Sequence, residues 1–143
     1  MVVWLDRCSR KIVGWDVRAA MPEDFVSKAL RRVLAVRRPS AGLVIHSDQG
    51  SQYTATRFKD LVAKHSALQS MSRRGNCYDN AHAESFWSRS KVELLDGGHF
   101  PGLAEAKLEI SHYIAYYNAE RRHSALGYLA LNHFETTSQL CPA

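Results

Sequence analysis

The sequence predicts a single layered domain of the α/β or α+β class, on three observations. Short β-branched and aromatic runs come before, and then between, longer segments whose apolar residues recur at helical spacing. The length, 143 residues, suits one domain able to bury a core. A composition of 45% hydrophobic and 23% charged residues excludes a disordered or collagen-like chain.

Val2 to Leu5 and Ile12 to Val17 read as two strands joined by the polar turn Asp6 to Arg10. Pro22 fits the first turn of a helix in which Phe25, Val26, Ala29, Leu30, Val33 and Leu34 form the inner face. On the same segment Arg31, Arg32, Arg37 and Arg38 read as a solvated face. Pro39 to Gly42 ends that helix, and Leu43-Val44-Ile45 forms a short buried strand. A loop at Asp48 to Ser51 leads to a second helix from about Thr54, with Phe58, Leu61 and Val62 on one side. Leu68 to Met71 reads as another strand, followed by the loop Ser72 to Tyr78. Asp79 or Asn80 caps a third helix with Ala83, Phe86, Trp87 and Leu94 inside, ended by Gly97-Gly98. A fourth helix spans roughly Leu103 to Glu120, and the segment after Gly127 shows little periodicity.

The formal net charge is +5, which makes a polyanionic partner plausible without establishing one. Cys8, Cys77 and Cys141 give no disulfide framework or Cys-based zinc motif, which suits a reducing cytoplasm. No apolar stretch approaches the length of a signal h-region or a membrane span, so no membrane partner is expected.

Asp48 lies just beyond a buried strand, at a glycine-containing loop where α/β sheets present functional groups. Glu84 follows after 35 intervening residues, near the start of a helix, and Lys91 stands seven positions further on the same helix face. Carboxylate oxygens are what Mg²⁺ takes, and a lysine beside them can hold a phosphate. By spacing alone, surface Asp and Glu mean only solubility. His46 alternates with Asp48 and reads as a packing or supporting histidine, Phe86 and Trp87 as core, and Cys77 as structural.

Several long stretches add to this: His46-Ser47-Asp48-Gln49-Gly50-Ser51-Gln52-Tyr53, Ser72-Arg73-Arg74-Gly75-Asn76-Cys77-Tyr78-Asp79-Asn80-Ala81 and Ala83-Glu84-Ser85-Phe86. Tyr116-Tyr117-Asn118 and Arg121-Arg122-His123-Ser124-Ala125-Leu126-Gly127-Tyr128 follow in order. Over about Leu5 to Glu135, these resemble the integrase core of bacterial insertion-sequence transposases, DDE enzymes related to retroviral integrases with a ribonuclease H-like fold. The resemblance implies that Asp48 and Glu84 are the second and third members of a catalytic, metal-binding acidic triad. It implies Mg²⁺ or Mn²⁺ as cofactor and phosphoryl transfer on DNA, with insertion-sequence ends and target as substrates. Lys91, Arg73, Arg74, Arg121 and Arg122 are the implied DNA-binding residues, and the Asn76 to Asn80 loop would order the approach to Glu84.

The same resemblance places the first triad aspartate on a strand ahead of the hairpin. The expectation is therefore a partial core over residues 1–135, lacking its first, central strand but carrying an added C-terminal helix, with a tail over 136–143. The two strands flanking the missing one lose a hydrogen-bonding neighbour; they either close on each other or the protein folds poorly. Asp6 reads as a turn residue, not a substitute ligand. Leu131 departs from the proline common in the family, which bears on the tail alone. The expected partners, besides DNA, are further copies of the chain or intact transposase; the rival reading is a catalytically dead remnant that binds DNA or associates with that enzyme.

Overall fold

Two short strands with apolar residues on both faces, β1 (Val2–Leu5) and β2 (Ile12–Asp16), pair antiparallel at the start of the computed structural model, which describes residues 1–22, 24–73, 80–95 and 98–138. Val2 faces Asp16, Val3 faces Trp15, Trp4 faces Gly14 and Leu5 faces Ile12, with a bulge between Trp4 and Leu5. The turn is held by Asp6, whose Oδ1 accepts from the N–H groups of Cys8 at 2.8 Å and Ser9 at 3.2 Å. That is the turn role expected of Asp6: a short acceptor satisfying the bend. Cys8 is disulfide-bonded, a pairing that cysteine spacing does not reveal.

The hairpin separates two apolar cores. Val2 joins Phe25, Val26, Ala29, Leu30 and Leu34 of α1 (Phe25–Arg37), with Ile45, Phe58, Leu61 and Val62, and Trp4 packs against them. On its other face Ile12 and Val17 meet Phe86, Ala106, Ile110, Tyr113, Ile114, Tyr117 and Leu131, flanked by Val3, Leu5 and Trp15. The alternation of strand side chains gives each face its own core. Gly14 permits the close approach of β2 to α1: a Cβ there would lie 2.2 Å from Val33 Cγ2.

β3 (Val44–Ser47) pairs parallel with β4 (Leu68–Met71). Between them a helical turn, α2 (Ser51–Thr54), precedes α3 (Thr56–Lys64). The second helix expected from about Thr54 is α3, and the extended Ala55, at ψ 142, separates it from α2, a turn that the sequence does not announce. The strands form separate two-stranded sheets, and among the described residues β1 and β3 do not pair. The two edges do not close on each other, one of the two outcomes expected for them.

α4 (Ala81–Ser90) continues into a π-helical turn over Lys91–Leu95, and α5 (Leu103–Ala119) follows. Asp79 and Gly97, expected as cap and terminator, lie outside the described residues; Asn80 stands at the cap position without a side-chain capping bond. The segment after Gly127 is more ordered than its sequence suggests. Leu129–Ala130 (β6) pairs with Arg122–His123 (β5), and α6 spans Leu131–Thr137. Leu131 is fully buried in the second core, so this single apolar anchor, and not periodicity, docks the helix.

Polar contacts tie the layers. The Asn118 side chain accepts from the Ile12 N–H and donates to the Ile12 carbonyl, both at 2.9 Å, clamping α5 to β2. Glu135 of α6 pairs with Lys11 at 2.7 Å and with Arg37 of α1, and Arg32 reaches Asp16 at 2.8 Å. Arg31, Arg32 and Arg38 stay exposed, as a solvated face expects, while Arg37 is half-buried; the acids that meet Arg32 and Arg37 come from strand and helix ends distant in sequence. No helix among the described residues is long and apolar enough to cross a membrane.

Gly14→Ala should destabilise the chain by roughly 1–3 kcal/mol, because α1 must shift to admit the methyl; the measurement is the midpoint of thermal unfolding, and an unchanged midpoint would refute the close-packing argument. Burial raises the Glu135 carboxyl, but bonds from Lys11 and Arg37 outweigh it and hold the group below its ordinary value. A depressed acid stabilises the fold above the unfolded carboxylate range, about 4, and that contribution is lost as pH falls through the folded value. Glu135→Gln should therefore lower stability at neutral pH and flatten its decline below about pH 4, read from denaturant unfolding across pH.

Candidate active site

Parallel pairing with β4 brings β3 to a loop that starts at Asp48 and is fixed by its own polar atoms. Ser47 Oγ donates to the Asp48 carbonyl at 2.9 Å, and the Gly50 N–H donates to Asp48 Oδ1 at 2.9 Å. Gln49 Nε2 donates to the Ser72 carbonyl at 3.1 Å, fastening the loop to the strand-exit segment beyond β4. A Cβ on Gly50 would stand 2.9 Å from Asp48 Oδ1, so glycine leaves the carboxylate its place. Asp48 itself is exposed.

Under the loop, Tyr53 meets Phe58 edge-on at 5.4 Å and Trp4 at 6.2 Å. Burial, and then the negative charge of Asp48, push the Tyr53 hydroxyl up to about 12. His46 has both ring nitrogens engaged, Nδ1 with Ser70 Oγ at 2.9 Å and Nε2 with Ser72 Oγ at 3.1 Å. It braces the strands that carry Asp48, and neither nitrogen is left over for a ligand.

Glu84 stands exposed in the first turn of α4, where the helix dipole favours a carboxylate. Lys91 is exposed at the start of the π-helical turn, on nearly the same side as Glu84. The opposite side of α4 holds it in place: Phe86 is buried in the second core, edge-on to Tyr117 at 5.2 Å. Asp48 thus rests on the first core and Glu84 on the second. Among the described residues no group of three His, Cys, Asp or Glu is placed to hold a metal ion.

Of the basic residues, Arg73 and Arg122 are exposed. Arg121 is half-buried, paired with Glu93 and lying over the Tyr117 ring at 5.7 Å. Arg74, Asn76 and Cys77 lie outside the described residues. Arg10, which the sequence does not single out, and His123, which stands in the Arg121-Arg122-His123 stretch of the motifs, each carry a buried side-chain nitrogen without a hydrogen-bond partner among the described residues.

A family model described as "Integrase core domain" matches residues 1–77, and a second of the same description matches 65–130. The chain is 43% identical over 136 residues to the "Transposase for insertion sequence element IS904" of Lactococcus lactis subsp. lactis (strain IL1403), covering 94% of this chain and 54% of that protein. It is 35% identical over 136 residues to "Transposase InsF for insertion sequence IS3A" of Escherichia coli (strain K12), covering 94% and 47%. It therefore spans about half the length of these curated relatives. Among solved structures, the catalytic core domain of BIV integrase superposes with a TM-score of 0.58 at 16% identity, over 92% of this chain and 81% of that one, a likeness of fold. The ribonuclease H-like architecture expected from the sequence is thereby found.

Asp48→Asn should lower the Tyr53 pKa from about 12, since one of its two causes is removed, yet leave it above the ordinary tyrosine value because burial persists. Titration of ring-labelled tyrosine by NMR reads this; an unmoved value would mean that burial alone raises Tyr53.

Proposed function

This chain belongs to the integrase core domain family, and on that premise we propose that Asp48 and Glu84 serve metal-dependent phosphoryl transfer on DNA during transposition, as part of an insertion-sequence transposase. The reading rests above all on one observation: two exposed carboxylates, one closing a strand and one opening a helix, stand at the positions that match the family motifs.

The donor chemistry fits a divalent ion. Asp48 commits one oxygen to the Gly50 N–H and retains the other, while Glu84 is open to solvent. Mg²⁺ commonly takes one or two carboxylates and completes its octahedron with water and substrate phosphate oxygens. When bound, such ions polarise the phosphate and stabilise the attacking and leaving oxygens of an in-line displacement. The chain's own part is positioning. The loop bonds hold Asp48 still, and the buried side of α4 aims Glu84 outward. Lys91, on nearly the same side as Glu84, draws a neighbouring phosphate toward it. Water and then a freed 3′-hydroxyl are the nucleophiles, and no covalent bond to the protein forms.

Arg73, Arg74 and Arg122 are the proposed contacts to the DNA backbone, and Arg121 joins them only from its pairing with Glu93. DNA ends and target are the proposed substrates. Work on two ends calls for further copies of the chain or for intact transposase as partner.

Mn²⁺ should broaden the amide resonances of Gly50, Ser51 and the residues around Glu84, and Asp48→Asn or Glu84→Gln should each abolish it; broadening confined to other positions would overturn the assignment.

A further inference from the structure

β3 and β4 run parallel and in register, from Val44 against Leu68 to Ser47 against Met71, so both chains leave the sheet at one edge. The pairing carries one residue further, because the Ser72 N–H donates to the Ser47 carbonyl at 2.8 Å. Neighbouring strands lie about 4.8 Å apart. The register therefore sets the exposed carboxylate of Asp48 beside a segment whose next residue is the exposed Arg73. Acid and base meet here through strand pairing, 25 positions apart in the chain.

Ser72 is buried and spends its polar atoms on this junction. Besides the bond from its N–H, its Oγ lies 3.1 Å from His46 Nε2 and 3.4 Å from the Ser47 carbonyl oxygen. Those contacts already fix the exit of β4. The bond from Gln49 Nε2 to the Ser72 carbonyl, at 3.1 Å, comes on top of them and from an exposed side chain. Such a bond adds little to stability. Its place is what matters. The Ser72 carbonyl belongs to the peptide that joins Ser72 to Arg73, and a peptide group is planar, so holding its oxygen also directs the Arg73 Cα. Gln49 in turn follows Asp48 directly. One side chain thus runs from the residue after the carboxylate to the arginine's own peptide.

We infer that Gln49 is a positioning residue: it holds Arg73 at a fixed offset from Asp48, so that a divalent ion on Asp48 and a DNA phosphate on Arg73 bind as one unit. The inference rests on the DNA reading above and deepens it. Mg²⁺ draws substrate phosphate oxygens into its shell. A guanidinium takes phosphate oxygens in a planar fork that tolerates little drift. The two can share a strand only while their spacing holds, and each then raises the affinity of the other by the same factor.

The test uses the whole chain and a fluorescein-labelled 30-base-pair duplex, with anisotropy read with and without Mn²⁺ at constant ionic strength. Gln49→Met keeps the length of the side chain and removes its donor. Gln69→Met removes a like amide bond, to the Tyr53 carbonyl at 2.7 Å, that does not lead to Arg73. Unfolding midpoints first confirm that each variant is folded. We expect Mn²⁺ to tighten duplex binding about fivefold in the parent chain and in Gln69→Met, and not in Gln49→Met. In Gln49→Met, Mn²⁺ should still broaden the Gly50 amide, while its broadening of the Arg73 amide falls below that of the parent. A Gln49→Met chain coupled as strongly as the parent would overturn the inference and leave the DNA reading intact, as would a parent that binds duplex and Mn²⁺ independently. Loss of the Gly50 broadening in Gln49→Met would overturn it too, by showing that Gln49 holds Asp48 and not Arg73. A parent chain that binds no duplex even at low salt would overturn the DNA reading, and the inference with it.

Discussion

The β1–β2 hairpin is a wall with an apolar core against each face, and the placement of everything else follows from it. Trp4 and Val2 commit one face to α1 and α3; Ile12, Val3 and Trp15 commit the other to α4, α5 and α6. Two contacts make the wall stiff. Gly14 lets α1 lie directly on the strand, and Asn118 satisfies both backbone polar groups of Ile12 from α5. Neither contact has slack: one has no room for a methyl, and the other would strand buried polar groups.

The division into two cores explains how the charged groups are arranged. Asp48 is carried by the first core, through Tyr53 and the serine-braced His46, while Glu84 is carried by the second through Phe86. The hairpin is the mechanical link between them. Charge inside the structure serves the fold where it is paired, as with Glu135 bridging Lys11 and Arg37 and with Asp16 holding Arg32. Exposed charge stands on α4 and the turn that continues it, with Glu84 and Lys91 on nearly the same side and Arg89 round the helix from them.

Much of this was readable from the chain. The strands at Val2–Leu5, Ile12–Asp16 and Leu68–Met71, the inner faces of α1 and α3, and α5 from Leu103 all stand where period-two and 3.6-residue patterns place them. The departures have physical causes. α2 escaped notice because four residues hold no helical period, and the extended Ala55 separates it from α3. α6 escaped notice because seven residues hold too few apolar positions for a period; buried Leu131 and the ion pairs of Glu135 fix it. Arg32 and Arg37 read as solvated because their acids, Asp16 and Glu135, are distant in sequence.

The sequence by itself determined the local elements, the exposed strand-end Asp48, the shared helix side of Glu84 and Lys91, and, through its ordered motifs, the family. Each of these is encoded within a few residues of itself, or in motif order, and needs no knowledge of what packs where. Only the tertiary structure decided which hairpin face meets which core, why residue 14 must be glycine, and that Asn118 clamps a strand 106 residues away. It also decided that one side-chain nitrogen each of Arg10 and His123 is shut from solvent, without a hydrogen-bond partner among the described residues. Those outcomes depend on partners brought together by burying apolar surface, a force proportional to area and indifferent to sequence separation.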